Sequence, residues 1–317
     1  MARLPSSKYG VPLVSLLNPA QMQGWAGPAA ADKAWRTMSG RFPSLVVGGT
    51  ANGDLIPDFV YLWETYKEVT GEDPDTTPQP TGNCVSASTD DGLECLQATL
   101  IAAKQRLTWE RIYNPYHYGT ARVLVGKKAI RGPGLILSWQ IDAVKTYGTL
   151  ALQPDLPRYT KYNVDAWGDD KQSDDGDQFR NHLETGKQSL LRTAAKVGSL
   201  DELSLAMRTN KCPAVVASSC GYSMLPNRDG FHVPEGVEHH AQSIWGIDTE
   251  AVYIKNQWGD VHGRVKTKDG RAVPPGFRKV RLDVFAQRHL RASGAECFVL
   301  SGYDGFPAVT IETKGWA

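Results

Sequence analysis

The sequence is poor in cysteine, in long apolar runs and in any excess of charge of one sign. Five cysteines in 317 residues, Cys84, Cys95, Cys212, Cys220 and Cys297, are too few for a disulfide scaffold. None belongs to a C-x-x-C pair, so a structural zinc site is not expected. The count is odd, so at least one thiol is free. No stretch approaches the roughly 18 apolar residues that cross a bilayer, and Met1–Ser7 holds no apolar run of signal-peptide length. A soluble chain with no export signal and no membrane contact is expected. With 35 basic and 34 acidic residues the net charge is +1, which leaves no basic footprint for nucleic acid. Charged residues at 22% and hydrophobic residues at 41% are ordinary for a globular protein and argue against disorder.

The chain has no internal repeat, and its texture changes along its length. Residues 1–57 are rich in Pro, Gly and Ala with weak periodicity. Asp58–Gly71 reads as a short amphipathic helix, with Phe59, Leu62, Tyr66 and Val69 on one face and Gly71 as its C-terminal cap. Glu72–Thr81 holds three prolines and reads as a linker or surface loop. Asn83–Arg106 is the best helix candidate, with Asn83 as N-cap and Leu93, Leu96, Leu100 and Lys104 on one face. Gly92 weakens its second turn. Further helices are expected over Leu135–Tyr147, ended by Gly148, and over Ser199–Arg208. Ala214–Ser218, Ala241–Ile247, Ala251–Asn256, Arg278–Leu282 and Cys297–Ser301 read as strands. Helices first and strands later indicate an α+β protein, with a site expected in the cleft between its halves. The acidic stretch Asp165–Asp177 lacks the D-x-D-x-D-G spacing and terminal Glu of a calcium loop, so it reads as a solvated loop. No metal or cofactor is expected.

Cys84 stands at the first position of its expected helix, where the positive end of the helix favours a thiolate. Thr81-Gly82-Asn83 is a tight turn that would expose the sulfur. His240 lies directly before a strand, and Asn256 and Trp258 lie at the end of the next one. Asp248-Thr249-Glu250 between them is short enough for a hairpin, which would make His240 and Asn256 neighbours. An imidazole base needs such a partner to fix its tautomer and ring orientation. His239 competes for the base, but alternation along a strand sends the two rings to opposite faces, and His239 reads as a surface ring. His117, His182, His232, His262 and His289 read as structural or exposed. Cys95, Cys212, Cys220 and Cys297 read as buried thiols.

These segments resemble those of the papain-like cysteine peptidases. Gly82, Cys84 and Gly92-Leu93-Glu94 match the nucleophile segment. His240, Ala241 and Gly246 match H-A-x-x-x-x-G, and Ile254, Lys255, Asn256, Trp258 and Gly259 match I-K-N-S-W-G, with Gln257 in place of Ser. Lys145–Gly148 and Asp201–Ser218 are similar to further parts of the pattern. The chain departs from it around the nucleophile, reading T-G-N-C-V for C-G-S-C-W, with Val85 for Trp and Gln79 five residues before the cysteine instead of six. It resembles a divergent member, similar to papain-like proteins encoded by tailed phages.

The resemblance implies a two-lobed α+β fold over residues 76–317, with a helical lobe carrying the cysteine and a sheet lobe carrying the histidine and asparagine. Residues 1–75 would be an N-terminal extension, an arm or pro-like segment available for self-association or assembly through Tyr61, Trp63 and Tyr66. It further implies peptide hydrolysis through an acyl-enzyme on a polypeptide substrate. Cys84 would be the nucleophile, His240 the base and Asn256 its orienter. Gln79 would support the oxyanion and Trp258 would shield the imidazole. The alternative is a weakly active or inactive papain-like domain with a structural role, for example in a phage particle. A third possibility is acyl transfer other than proteolysis. Localisation would be cytoplasmic or virion-associated.

Overall fold

A computed structural model describes residues 23–42, 57–105 and 108–303. Nine α-helices occur among them: α1 Pro28–Met38, α2 Leu62–Thr70, α3 Cys84–Ala102, α4 Asn114–Gly119, α5 Leu137–Tyr147, α6 Lys161–Gly168, α7 Leu183–Gly186, α8 Leu200–Asn210 and α9 Leu282–Phe285. The strands are β1 Val60–Tyr61, β2 Leu191–Lys196, β3 Ala214–Tyr222, β4 Pro234–Ile247, β5 Ala251–Lys255, β6 Phe277–Arg281 and β7 Glu296–Tyr303. They form one sheet in the order β2-β7-β3-β4-β5-β6, with β1 on the end of β4 and every pairing antiparallel. The class is α+β, as the sequence indicates.

Alternation along the strands divides the core. Val215, Ala217, Ala241, Phe298 and Leu300 face a helical cluster that includes Leu93, Leu96, Leu100, Ile141 and Val144. Ala214, Val216, Trp245, Tyr253 and Phe277 face the opposite way, onto Leu62, Tyr66, Leu203 and Met207. Helix α3 lies against the sheet and is buried from Cys84 to Leu100. Gly92, a weak point by helix propensity, has a packing reason. A Cβ there would stand 3.0 Å from Leu300 Cδ1 and 3.1 Å from Val215 Cγ2. Glycine lets helix and sheet approach closely enough to bring Cys84 beside β4.

Several local expectations change. The cysteine helix ends at Ala102, and Arg106 lies outside the described residues. Asn83 makes no side-chain cap; its amide donates instead to Asn114 Oδ1 (2.6 Å) and to the Tyr159 hydroxyl (2.9 Å). A buried hydrogen-bond network outcompetes the local cap. Helix α2 starts at Leu62, leaving Phe59 39% exposed before it, while Gly71 does take the left-handed cap conformation. Helix α8 has the full capping box between Ser199 and Glu202. Asp165 belongs to α6, so the acidic stretch is only partly loop. Helix α1 and strand β2 have no counterpart in the sequence reading. In the first 75 residues, Ala31, Ala34 and Met38 pack into the helical cluster, and Tyr61, Trp63 and Tyr66 are buried against the chain's own sheet.

Candidate active site

Strand β4 is exposed or half-buried from Pro234 to His239 and buried from His240 to Ile247. His240 therefore lies inside the strand, at the point where it leaves solvent, and not before it as expected from sequence. The Asp248–Glu250 link closes the β4–β5 hairpin, and Asn256 is the first residue beyond β5. His240 Nε2 lies 2.6 Å from Asn256 Oδ1. Oδ1 also accepts from the Gln257 backbone N–H at 2.8 Å, which fixes the amide's orientation and marks Nε2 as the protonated ring nitrogen. Nδ1 of His240 has no hydrogen-bond partner among the described residues. The next residue's N–H, that of Ala241, donates to Cys84 Sγ at 3.4 Å. The strand that carries His240 is thus bonded to the Cys84 sulfur through its next residue, and Nδ1 is the ring nitrogen that Asn256 leaves free.

Trp258 is buried, with its ring centroid 4.6 Å from that of His240. The Arg278 guanidinium, wholly buried, lies 5.1 Å from the Trp258 ring and is paired with Glu238 at 3.2 Å. His239 is half-buried, bonds Ser219 Oγ at 3.1 Å and takes no part in the cluster. Gln79 is buried behind the cysteine loop. Its backbone N–H donates to Gln257 O (2.9 Å) and its side-chain Nε2 to Thr81 O (2.7 Å). A buried ion pair, Lys255 to Asp91 at 2.7 Å, ties β5 to α3, and Gln257 Nε2 donates to the same carboxylate oxygen at 2.8 Å. These bonds hold Asn256 and Cys84 on one frame.

The sulfur is covered, against the expectation that the turn before Cys84 would expose it. Cys84 is 0% exposed. Residues Gln23–Gly27 lie over it. Trp25 N donates to His239 O (3.2 Å), Leu135 N to Gly24 O (2.7 Å), and Ala26 N to Leu135 O (2.9 Å), a parallel bridge on Leu135. Gly24 passes so close to Gly82 that a Cβ would stand 2.0 Å from the Gly82 carbonyl oxygen. Trp25 is buried, and its Nε1 donates to Glu296 Oε2 at 3.0 Å. Glu296 also accepts from Leu137 N (3.1 Å) and Ser138 N (3.0 Å) at the start of α5. Burial raises the Glu296 carboxyl above its usual range, and these donors pull it back.

Burial decides the protonation states. It pushes the Cys84 thiol up to about 12, although the N–H groups of Ala241, Gly24, Val85 and Trp25 act the other way. It pushes His240 down to about 3, against the Asn256 hydrogen bond and with help from Arg278. The helix end that favours a thiolate is outweighed here by desolvation. The pair is therefore thiol and neutral imidazole. The segment offers the sulfur the N–H groups of Gly24 and Trp25, and the Gly24 carbonyl accepts from Leu135 N.

His262 is the residue that the sequence reading missed. Asn256 Nδ2 lies 2.6 Å from His262 Nε2, so a histidine taken as merely structural touches the constellation. Its separation of six residues from Asn256 carries no periodic signal. Trp25 and Glu296 were missed because their contact spans most of the chain.

No protein-family model matches the chain, and no curated sequence matches it. Solved structures do. Xylellain, a cysteine protease from Xylella fastidiosa, is similar over 94% of this chain and 98% of its own, at 13% identity and a TM-score of 0.54. Procathepsin B S9 from Trypanosoma congolense is similar over 90% of each chain, at 10% identity and a TM-score of 0.52. Procathepsin L 3 of the Tenebrio molitor larval midgut covers 84% of this chain and 78% of its own, at 13% identity and a TM-score of 0.50. The fold is papain-like. In this papain-like chain the helical cluster supplies Cys84 and the sheet supplies His240 and Asn256, as the α+β two-lobed expectation has it. Among the described residues no helix is long and apolar enough to cross a membrane.

Proposed function

We propose that the chain is a cysteine-nucleophile peptide hydrolase whose cleft is held closed by its own segment Gln23–Gly27. The carrying observation is the His240 Nε2 to Asn256 Oδ1 bond, which leaves Nδ1 unpartnered on a strand whose next residue, Ala241, donates its N–H to the Cys84 sulfur. With the segment displaced, water reaches both groups and the desolvation that keeps them neutral is relieved. His240 Nδ1 then takes the Cys84 proton, and the thiolate attacks a peptide carbonyl carbon. The Cys84 N–H, at the first turn of α3 and without an intrahelical acceptor, holds the oxyanion, with Gln79 as the second donor once its amide turns from Thr81. The imidazolium protonates the leaving amine. The neutral imidazole then takes a proton from water, whose oxygen attacks the thioester carbonyl carbon; the C–S bond breaks to release the acid, and the imidazolium returns its proton to the Cys84 thiolate. Asn256 keeps the imidazolium oriented throughout, and Trp258 shields that bond.

The test uses a full-length Gly24→Ala chain, in which the clash with Gly82 O favours opening of the segment, with peptide hydrolysis and labelling by a thiol-directed epoxide as readouts. Both should vanish when Cys84→Ala is added. Turnover that survives that second change would sink the proposal.

One observation favours a second reading: the complete cover over Cys84. A segment that never leaves would make this a papain-like domain without turnover, serving assembly through residues 1–75, for example in a phage particle. A Gly24→Ala chain that takes up the epoxide but hydrolyses no peptide would favour it.

A further inference from the structure

We infer that His262 is a positioning residue of the Cys84–His240–Asn256 constellation, acting as an obligate neutral acceptor that locks the Asn256 amide. The inference rests on the reading of Cys84 and His240 as the reacting pair.

Asn256 Oδ1 faces two donors, His240 Nε2 at 2.6 Å and Gln257 N at 2.8 Å. The backbone N–H cannot change its role, so the oxygen must stay on that side. The NH2 group then points at His262 Nε2, 2.6 Å away, and a donor there needs an acceptor. His262 Nε2 is therefore unprotonated and its proton sits on Nδ1. Nδ1 makes no hydrogen bond of ordinary geometry, but the Met224 carbonyl lies close enough to favour a proton there.

The site around His262 keeps it in this form. Its own carbonyl accepts from His232 Nε2 at 3.0 Å. His232 Nδ1 in turn accepts from the Lys279 N–H at 3.2 Å, which fixes that ring's tautomer too. The His262 backbone is thereby anchored to β6. The charged and titratable groups around His240 and His262 are Cys84 on α3, Arg278 on β6 with its partner Glu238 on β4, and His232 ahead of β4. Burial, Arg278, His232 and His240 all oppose a charge on His262 and hold its pKa well below the ordinary value. A protonated His262 would turn an acceptor into a donor and leave Asn256 Nδ2 facing it.

The consequence is transmitted through the amide. Donation from Nδ2 polarises the group and makes Oδ1 a better acceptor for His240 Nε2–H. That bond stabilises imidazolium over imidazole. Without the His262 acceptor only the Gln257 N–H restrains the amide, and a flip that gives up that bond presents NH2 to the Nε2–H of His240. His240 becomes less basic, and the thiolate–imidazolium pair collapses at lower pH.

The first arm of the test needs no activity. Imidazole nitrogen NMR on the full chain should show His262 protonated at Nδ1 and His240 at Nε2. A His262 proton on Nε2, or on both nitrogens, overturns the inference. The hydrogen-bonded Nε2–H signal of His240 should persist in His262→Gln, whose amide oxygen can accept, and be lost in His262→Phe. The second arm is kinetic. In His262→Phe, kcat should fall about 10- to 100-fold at unchanged KM, and the alkaline limb of its pH profile should move roughly one pH unit to the acid side. His262→Gln should restore most of both. Equal profiles for the two variants, or a change in KM alone, overturn the inference. A chain that hydrolyses nothing yet shows the expected tautomers and the loss in His262→Phe sinks the peptidase reading and leaves the role of His262 standing.

Discussion

Cys84 and Cys212 are both wholly buried thiols, and burial pushes each up to about 12. What buries them differs. Cys212 sits in the sheet-side core among Leu203, Met207 and Ala214, and desolvation is the sole cause of its shift. Cys84 has N–H groups around its sulfur, one of them from Ala241 next to His240, and its cover includes the segment Gln23–Gly27, held by a few hydrogen bonds and one indole. The same number therefore describes an inert thiol in one place and a stoppered one in the other. The high value at Cys84 is a property of the closed state.

The largest effect that separates them is on pH. A group whose folded value is depressed, as at His240, contributes stability that is present above its unfolded value and lost as pH falls. The window at His240 runs from 6.5 down to about 3. A group whose folded value is raised, as at Cys84, contributes stability that is present below its unfolded value and lost as pH rises. The window at Cys84 runs from 9.0 up to about 12. Opening the segment restores both groups to water, so the closed form should be firmest between these windows. Within each window its opening should rise about tenfold per pH unit away from neutrality. Hydrogen exchange of the Leu135 amide, bonded to Gly24 O, reads this opening. If Cys84 and His240 form an ion pair once open, both edges move outward, because the titrations belong to the pair. Flat protection from acid to alkaline pH would mean that the segment is not what keeps the pair neutral. Cys212 should contribute nothing to this local opening, since its cover is the core itself.

Legibility in the sequence follows the same division. The β4–β5 hairpin was readable because its determinants are local. His240 lies on β4 and Asn256 directly follows β5, and a three-residue link joins the two strands, so the hairpin makes them neighbours. Cys84 was readable because a helix start is a local event. The cover was not readable. Gln23–Gly27 has no helical or strand period, and its partners Leu135, His239 and Glu296 are distant in sequence. Helix α1 escaped notice because alanine-rich residues bury a face without the large apolar side chains that mark periodicity. Asn83 looked like a cap because its type suits one, yet a buried amide network claimed its side chain. His262 was set aside because nothing within its neighbourhood announced the Asn256 contact.

A second way to sharpen the comparison is Gly24→Ala. The added Cβ would meet the Gly82 carbonyl oxygen at 2.0 Å, which backbone atoms cannot accommodate without moving. Overpacking of this kind costs about 1–3 kcal/mol, or about five- to 150-fold in the opening equilibrium. Alkylation of Cys84 by iodoacetamide at neutral pH should rise by that factor, since a buried thiol reacts through its open fraction. Cys212 in the same chain is the internal control and should label no faster. A parallel rise at Cys212 would mean that the substitution loosens the whole fold.

Trp25→Phe should give the smallest effect, because it keeps an aromatic ring in the site and removes one donor. The indole N–H is one of three donors to Glu296; Leu137 N and Ser138 N remain. Burial already raises the Glu296 carboxyl, and losing a donor raises it further. The carboxyl can then answer by taking a proton, which limits the cost of the lost bond to about 1 kcal/mol, or about fivefold in Cys84 labelling. Glu296→Gln added to the Trp25→Phe chain should change little more, because the neutral carboxyl and the amide both still accept from the two α5 N–H groups. If Trp25→Phe instead matches Gly24→Ala, the indole hydrogen bond holds the segment, and the close passage of Gly24 over Gly82 follows from it.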